Sequence, residues 1–126
     1  MAQVPKVTRR TAEAFESGVG DTMATTETNT RFVQAPGVLG LETRGSFREQ
    51  SVAALEQMVE GEGVLTIDFA ATHKIDSAGL GALMLIQRKA AERRQRIVLR
   101  GLKDEFRFLL VLTKLDDLFE IESNRE

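Results

Sequence analysis

The sequence contains no cysteine, tryptophan or tyrosine, and it has only two prolines and one histidine in 126 residues. Without cysteine, the chain has no disulfide framework, no thiolate nucleophile and no cysteine-ligated metal. This composition suits a reducing compartment, and we expect a cytoplasmic protein. Without tryptophan and tyrosine, phenylalanine is the only aromatic side chain left to stack on bases or sugars.

Long apolar runs are also missing. No run approaches the roughly 20 residues that a membrane helix needs, and the first ten residues lack the apolar segment of a secretory signal. We therefore expect neither membrane insertion nor export.

The charges of the chain are nearly balanced, with 17 basic and 19 acidic residues and a net charge of −2. A nucleic-acid surface usually needs a clustered basic patch. The short basic run Arg93, Arg94 and Arg96 is instead typical of a solvated helix end, where cations complement the helix dipole. We expect no nucleic-acid partner.

The composition changes along the chain. Residues 1–29 are dominated by threonine, glutamate, alanine and glycine, and such a stretch buries too little apolar surface to offset its ordering entropy. We interpret it as a flexible N-terminal tail before one folded domain, residues 30–126.

Within the domain, short apolar runs alternate with helical patterns, and turn residues separate them. Strands are predicted at residues 31–34, 38–44, 64–69, 97–99 and 119–121, and helices at residues 48–60, 77–95 and 104–112. This alternation predicts an α/β fold with a largely parallel or mixed sheet.

The most informative segment opens the second helix. Asp76 and Ser77 follow a buried strand and a loop, and Asp or Ser is a favoured N-cap because its oxygen accepts a free backbone N–H. Ala78, Gly79 and Gly81 are small enough to let the helix begin close to the sheet or to a partner. Glycines in a first turn cost about 1 kcal/mol each relative to alanine, so the pair indicates close packing or close approach.

The second helix has two apolar sides at helical spacing. Its predicted core side consists of Leu80, Leu83, Ile86 and Ala90. The other side carries Gly81, Met84, Leu85 and Arg88. An exposed apolar patch with polar neighbours is typical of a protein contact, but a helix covered on both sides explains the same pattern. The residues alone leave both interpretations open.

Ser77 has two interpretations as well. It is either a plain capping residue or a phosphorylation site, since a helix N-terminus favours negative charge. A phosphate adds about −1.5 to −2 charge, and Asp76 would increase the local negative charge further. Repulsion would then release a partner from the neighbouring surface without refolding the domain.

Residues 31–122 resemble the STAS domain, particularly the single-domain anti-sigma factor antagonists of bacteria. The hallmark of that family is Asp-Ser-(Ser/Ala)-Gly-Leu-Gly at a helix start, which stands here at residues 76–81 after the strand sequence VLTIDF. The ending LTKLDDLFEI, residues 112–121, is also similar. Where family members often carry Gly-x-Leu-Asp, we match the segment from Gly45 to Arg48.

The resemblance implies a single STAS-like domain with a mixed β-sheet of four to five strands and helices packed mainly on one face. It implies that Ser77 is phosphorylated by a partner kinase, a histidine-kinase-like ATPase that is itself the anti-sigma factor. The unphosphorylated form would bind that kinase, a serine phosphatase would restore it, and no cofactor would be involved. The expected partner-binding residues are Asp76, Ser77, Gly79, Gly81, Met84, Leu85 and Arg88.

Two other function classes have less support. A STAS adaptor subunit of a transporter or signalling assembly would keep the fold without phosphorylation. A hydrolase built on Ser77 and His73 lacks an evident third group for a triad. Asp68, Asp76 and His73 lack the several converging ligands that a metal site needs, and Asp68 fits a loop cap. We therefore expect no enzyme and no metal.

Overall fold

The structure, a computed structural model, describes residues 29–122 of the chain. Three α-helices and a 3-10 helix alternate with six strands in this range. In chain order they are β1 (Thr30–Gln34), β2 (Val38–Leu39), α1 (Arg44–Glu56), β3 (Val64–Asp68), β4 (Lys74–Ile75), α2 (Ser77–Glu92), β5 (Arg96–Arg100), α3 (Asp104–Leu112), the 3-10 helix (Asp116–Leu118) and β6 (Glu120–Ile121). Residues 1–28 of the predicted tail lie outside the described residues.

The main sheet has the strand order β1-β3-β5-β6. The predicted α/β fold is confirmed, with four strands in this sheet. The expected mixed sheet is corrected in one respect, because each of the three strand pairs in the described sheet is parallel. Parallel strands need a crossover connection, and α1, α2 and α3 supply these crossovers. A second small sheet pairs β2 with β4, also in parallel.

The core lies on one face of the main sheet. Successive side chains of a strand point to opposite faces, and Leu65, Ile67 and Leu99 are fully buried among residues of all three helices. On the other face, Phe32 is 64 % exposed, and the guanidinium carbon of Arg100 lies 5.7 Å from the centre of its ring. In the described part of the chain the helices therefore pack on one face, as expected.

Helix α1 begins one turn earlier than its apolar pattern predicts, and β2 is correspondingly shorter. The Thr43 hydroxyl donates to the carbonyl of Val38 at 2.7 Å and accepts from the N–H of Gly40 at 2.9 Å. The N–H of Arg44 then donates to the Gly40 carbonyl at 2.8 Å. These bonds turn the chain directly after Leu39, so the predicted strand over residues 38–44 ends after two residues.

The basic run after α2 holds elements together. Arg93 donates from Nη2 to the carbonyl of Met58 at 2.9 Å and from Nε to Gln95 Oε1 at 3.0 Å. Arg96 pairs with Glu120 at 2.7 Å across β5 and β6. This pairing raises the pKa of Arg96 and lowers the pKa of Glu120, with the side-chain hydrogen bond as the largest cause.

The buried side chain of Gln95 joins the end of α1 to the start of β5. Its Nε2 donates to the carbonyls of Leu55 at 3.0 Å and Val59 at 3.2 Å. These carbonyls belong to the last turn of α1 and the turn that follows it, where a helix leaves acceptors unsatisfied. The bonds explain why the helix ends at Glu56, before the predicted residue 60.

We expect Gln95→Leu to lower the free energy of unfolding by about 2 kcal/mol, because it removes a buried donor to the carbonyls of Leu55 and Val59 and the acceptor of the Arg93 Nε–H. Urea denaturation measures this loss as a lower midpoint at an unchanged slope. Gln50→Leu, on the exposed side of α1, is the matched control and should change stability little. Equal effects of the two substitutions would contradict the capping role of Gln95.

Candidate partner-binding site at the start of helix α2

Asp76 is the N-cap of α2, and Ser77 is the first residue of the helix. Asp76 has an extended backbone conformation, and its Oδ1 accepts the N–H of Gly79 at 3.0 Å. Ser77 is exposed. The predicted cap is therefore confirmed for Asp76, and the Ser77 hydroxyl stands open to solvent at the helix start.

The short strand β4 positions Asp76 and Ser77. Sequence analysis interpreted residues 70–75 as a loop, but Lys74 and Ile75 pair with Val38 and Leu39. The ladder continues beyond the strand, since the N–H of Asp76 donates to the Leu39 carbonyl at 3.1 Å. The start of α2 is thus fixed to β2 through the backbone.

The Asp76 carboxyl group has a lowered pKa. The largest cause is the hydrogen bond from the backbone N–H of Gly79, and the backbone N–H groups of Leu41 and Ala78 and the charge of Lys74 add to it. Burial acts in the opposite direction. The carboxylate therefore stays ionised at neutral pH and keeps a negative charge beside Ser77.

The two glycines of the first turn have different environments. Gly79 is buried, and a Cβ atom there would overlap the carbonyl oxygen of Leu39. A Cβ atom on Gly81 would meet nothing within 4 Å. Gly79 therefore serves the close packing of α2 on β2 from beneath the surface, whereas Gly81 borders open space.

Of the two interpretations that the sequence left open for the second side of α2, the structure favours exposure. Met84 and Leu85 are each 47 % exposed, and Arg88 is exposed as well. On the core side, Leu83, Ile86 and Ala90 are buried, and Leu80 is partly buried against the core. The interpretation that α2 is covered on both sides does not hold within the described residues.

A cavity of about 490 Å³ lies between α1 and the first turns of α2. It is lined by Arg44, Gly45, Arg48, Ser77, Ala78, Gly81, Ala82 and Leu85. A smaller cavity of about 280 Å³ shares Arg48 and Leu85 with it and extends to Val52, Arg88, Lys89 and Glu92. Arg44 was predicted in a strand, and the expected partner-binding residues included none of those that α1 contributes to this cavity.

Comparisons with known families and solved structures identify the family and the fold of this chain. The family model described as "Mlab, STAS domain" matches residues 23–120. The chain belongs to the STAS domain family. The match begins seven residues before the predicted domain start at residue 30. Comparison with curated proteins found no match to this sequence.

Several solved structures share the STAS fold of this chain. A protein described as an anti-sigma factor antagonist from Thermotoga maritima has a TM-score of 0.62 at 21% identity, over 74% of this chain and 80% of its own. The anti-sigma factor antagonist SpoIIAA in its unphosphorylated form has a TM-score of 0.60 at 14% identity, over 78% of this chain and 83% of its own. A sulfate transporter family protein from Wolinella succinogenes has a TM-score of 0.58 at 16% identity, over 76% of this chain and 79% of its own.

The structure corrects the position that we matched to the Gly-x-Leu-Asp segment of STAS domains. Gly45 and Arg48 lie in the first turns of α1 and not after a strand. A Gly-x-Leu sequence does occur at strand β2, in Gly37, Val38 and Leu39, and the residue that follows it is Gly40. A Cβ atom there would lie 2.5 Å from Oδ2 of Asp76, and the missing side chain leaves Asp76 bordering a second cavity of about 400 Å³.

The remaining candidate residues of this STAS domain, Asp68 and His73, make hydrogen bonds within the fold. Asp68 caps the following loop by accepting the N–H of Ala70 at 2.9 Å, as predicted. The N–H of His73 donates to the Gly37 carbonyl at 2.8 Å. Residues 29–122 contain no group of three potential metal ligands. None of the helices in that range combines the length and apolar character that a membrane crossing requires.

The two glycines give a test of the packing under the site. We expect Gly79→Ala to lower the free energy of unfolding by about 2–3 kcal/mol, because the added methyl group forces α2 away from β2. Gly81→Ala is the matched control one half-turn along the same helix, and it should stabilise by up to about 1 kcal/mol. Urea denaturation of both variants measures the difference, and similar stabilities would contradict the close approach at Gly79.

The capping carboxylate predicts a pH effect. Because the pKa of Asp76 is lowered in the folded protein from 3.8, its stabilising contribution is present above that ordinary value and is lost as the pH falls through the folded value. We expect the stability of the wild-type protein to fall more steeply than that of Asp76→Asn as the pH falls below about 4. Denaturation midpoints across this range measure the slopes, and parallel slopes would rule out the effect.

Proposed function

We propose that this STAS domain is an anti-sigma factor antagonist that acts in the cytoplasm as a phosphorylation-controlled partner switch. Its unphosphorylated form binds an anti-sigma factor that is a serine kinase of the histidine-kinase-like ATPase type. A serine phosphatase returns the phosphorylated form to the binding state. The observation that carries the proposal is the exposed Ser77 hydroxyl at the start of α2, beside the exposed side chains of Met84 and Leu85.

The proposed partner surface runs along one side of α2. It consists of Ser77, Gly81, Met84, Leu85 and Arg88, and the geometry supports it because these residues are exposed or border an open cavity. Asp76 and Gly79 support this surface without forming part of it. Asp76 caps the helix, and Gly79 lets the helix pack on β2. Exposed apolar groups with polar neighbours are typical of a protein contact.

The proposal assigns the protein no catalytic role. Ser77 is the phosphate acceptor, and the partner kinase supplies the nucleotide and the catalytic groups. A phosphate on Ser77 adds about −1.5 to −2 charge to a surface that a partner must desolvate on docking. Because Ser77 stands at the surface, this change needs no rearrangement of the core.

A second candidate function is a STAS adaptor that is never phosphorylated and serves as a subunit of a transporter or signalling assembly. Two observations favour it. The sulfate transporter family protein from Wolinella succinogenes shares the fold. In addition, Gly40 borders the Asp76 carboxylate without an acidic side chain, whereas STAS family members often carry an acid in their Gly-x-Leu-Asp segment.

Incubation with ATP and a co-encoded histidine-kinase-like ATPase tests the proposal. We expect mass spectrometry to find one phosphate on the Ser77 peptide, and none on Ser77→Ala. Ser46→Ala, which removes another exposed serine at a helix start, is the matched control and should be phosphorylated normally. We also expect Ser77→Asp to bind the kinase at least about tenfold more weakly, a loss of about 1.4 kcal/mol.

The same experiment separates the two candidates. If an active kinase leaves Ser77 unmodified and Ser77→Asp binds the partner as tightly as the wild-type protein, the switch is excluded and the adaptor is supported.

A further inference from the structure

Two arginines of α1 border the same cavity as Ser77. Arg44 and Arg48 are four residues apart, a spacing that places two side chains on one face of a helix, one turn apart. The cavity of about 490 Å³ separates them from the first turn of α2, and Ser77, Gly81 and Leu85 line its opposite side. Two positive charges and the candidate phosphate acceptor therefore share one space.

Neither arginine has a carboxylate partner in the part of the chain that the structure describes. The ion pairs found there join Lys89 to Glu56, Arg96 to Glu120 and Arg100 to Glu122. Arg44 and Arg48 are exposed, and the chain as a whole has a net charge of −2. Within the described residues, no ion pair therefore occupies either guanidinium group.

The N-terminus of α2 alone does not supply the hydrogen-bond donors and the positive charge that a phosphate on Ser77 needs. The Asp76 carboxylate already accepts the N–H of Gly79 at 3.0 Å, and it places a negative charge next to Ser77. A second anion at this position therefore needs cationic partners from elsewhere. A guanidinium group presents several N–H donors in a plane and binds phosphate oxygens in pairs, and Arg44 and Arg48 are the basic residues that line this cavity.

We propose that Arg44 and Arg48 bind a phosphate carried by Ser77 and draw it into the cavity between α1 and α2. The inference rests on the proposed phosphorylation. In that step the Ser77 Oγ forms a bond to the γ-phosphorus of ATP, the bond to ADP breaks, and the hydroxyl proton passes to a base of the kinase.

This arrangement changes how phosphorylation releases a partner. A phosphate held by the arginine pair fills the space beside Gly81 and Leu85, which belong to the proposed partner surface. The arginines also compensate most of its charge of about −1.5 to −2. Release then follows because the docking space is occupied, whereas repulsion between uncompensated charges contributes little.

Phosphoserine inserted at position 77 during translation tests the inference without any kinase. The second pKa of a phosphoserine is about 6, and nearby cations lower it because they favour the doubly charged form. We expect a phosphorus NMR titration to give a pKa at least about half a unit lower in the otherwise wild-type protein than in Arg44→Gln/Arg48→Gln.

The control variant Arg88→Gln/Arg94→Gln removes the same charge further along the chain. Arg88 is eleven residues beyond Ser77, about 16 Å along a helix at ~1.5 Å per residue, and charges beyond about 8 Å are largely screened at physiological salt. This variant should keep the low phosphate pKa. Circular dichroism checks that each protein is folded. Because these arginines are exposed, we expect their substitution to leave the fold intact.

Equal phosphate pKa values in the wild-type background and in Arg44→Gln/Arg48→Gln would overturn the inference, and so would an equally large rise in the control variant. Because the phosphoserine is inserted during translation, the titration is independent of the kinase experiment. A kinase that ignores Ser77 would count against the proposed function alone, while the titration would still decide whether the arginine pair binds the phosphate.

Discussion

The contact between the first turn of α2 and the backbone of β2 determines where Ser77 stands. The N–H of Asp76 donates to the carbonyl of Leu39, and Gly79 packs so closely on the same carbonyl that a side chain would not fit. The Asp76 carboxylate then caps the helix. Backbone hydrogen bonding and steric exclusion thus hold the hydroxyl at the surface.

The surface around that hydroxyl comes from two helices with different properties. From α2 come exposed apolar side chains, Met84 and Leu85. From α1 come Arg44 and Arg48, which form no ion pair with residues 29–122, across a cavity that Ser77 also lines. An apolar surface and an anion-attracting cavity therefore meet at one residue. A single modification there can change both, which is the physical basis of the switch proposed for this STAS domain.

The sequence predicted the features of the site that depend on local pattern. Asp76 was expected to cap α2 because Asp is a favoured N-cap. Met84 and Leu85 were placed away from the core side of the same helix, with their exposure left open. The strands β3 and β5 were found because short apolar runs are typical of inner parallel strands.

The features that the sequence did not predict depend on tertiary contacts. The strands β2 and β4 have two residues each, too few to show a period, and only their mutual pairing defines them. The start of α1 depends on hydrogen bonds of Thr43 with Val38 and Gly40, which an apolar pattern does not report. Without that boundary, the face of α1 that meets α2 was unknown, and the arginines stayed outside the candidate site.

The wholly parallel pairing of the described main sheet has a consequence for the time course of signalling. Thr30 pairs with Val64, and Val64 pairs with Arg96, so more than thirty residues of chain separate the partners in these two pairs of strands. Domains dominated by such distant pairings fold slowly, because the entropy of loop closure is lost before the contacts form. A signal that required this domain to unfold and refold in each cycle would be limited by the slow folding rate. A chemical change at the surface of the folded domain does not depend on that rate.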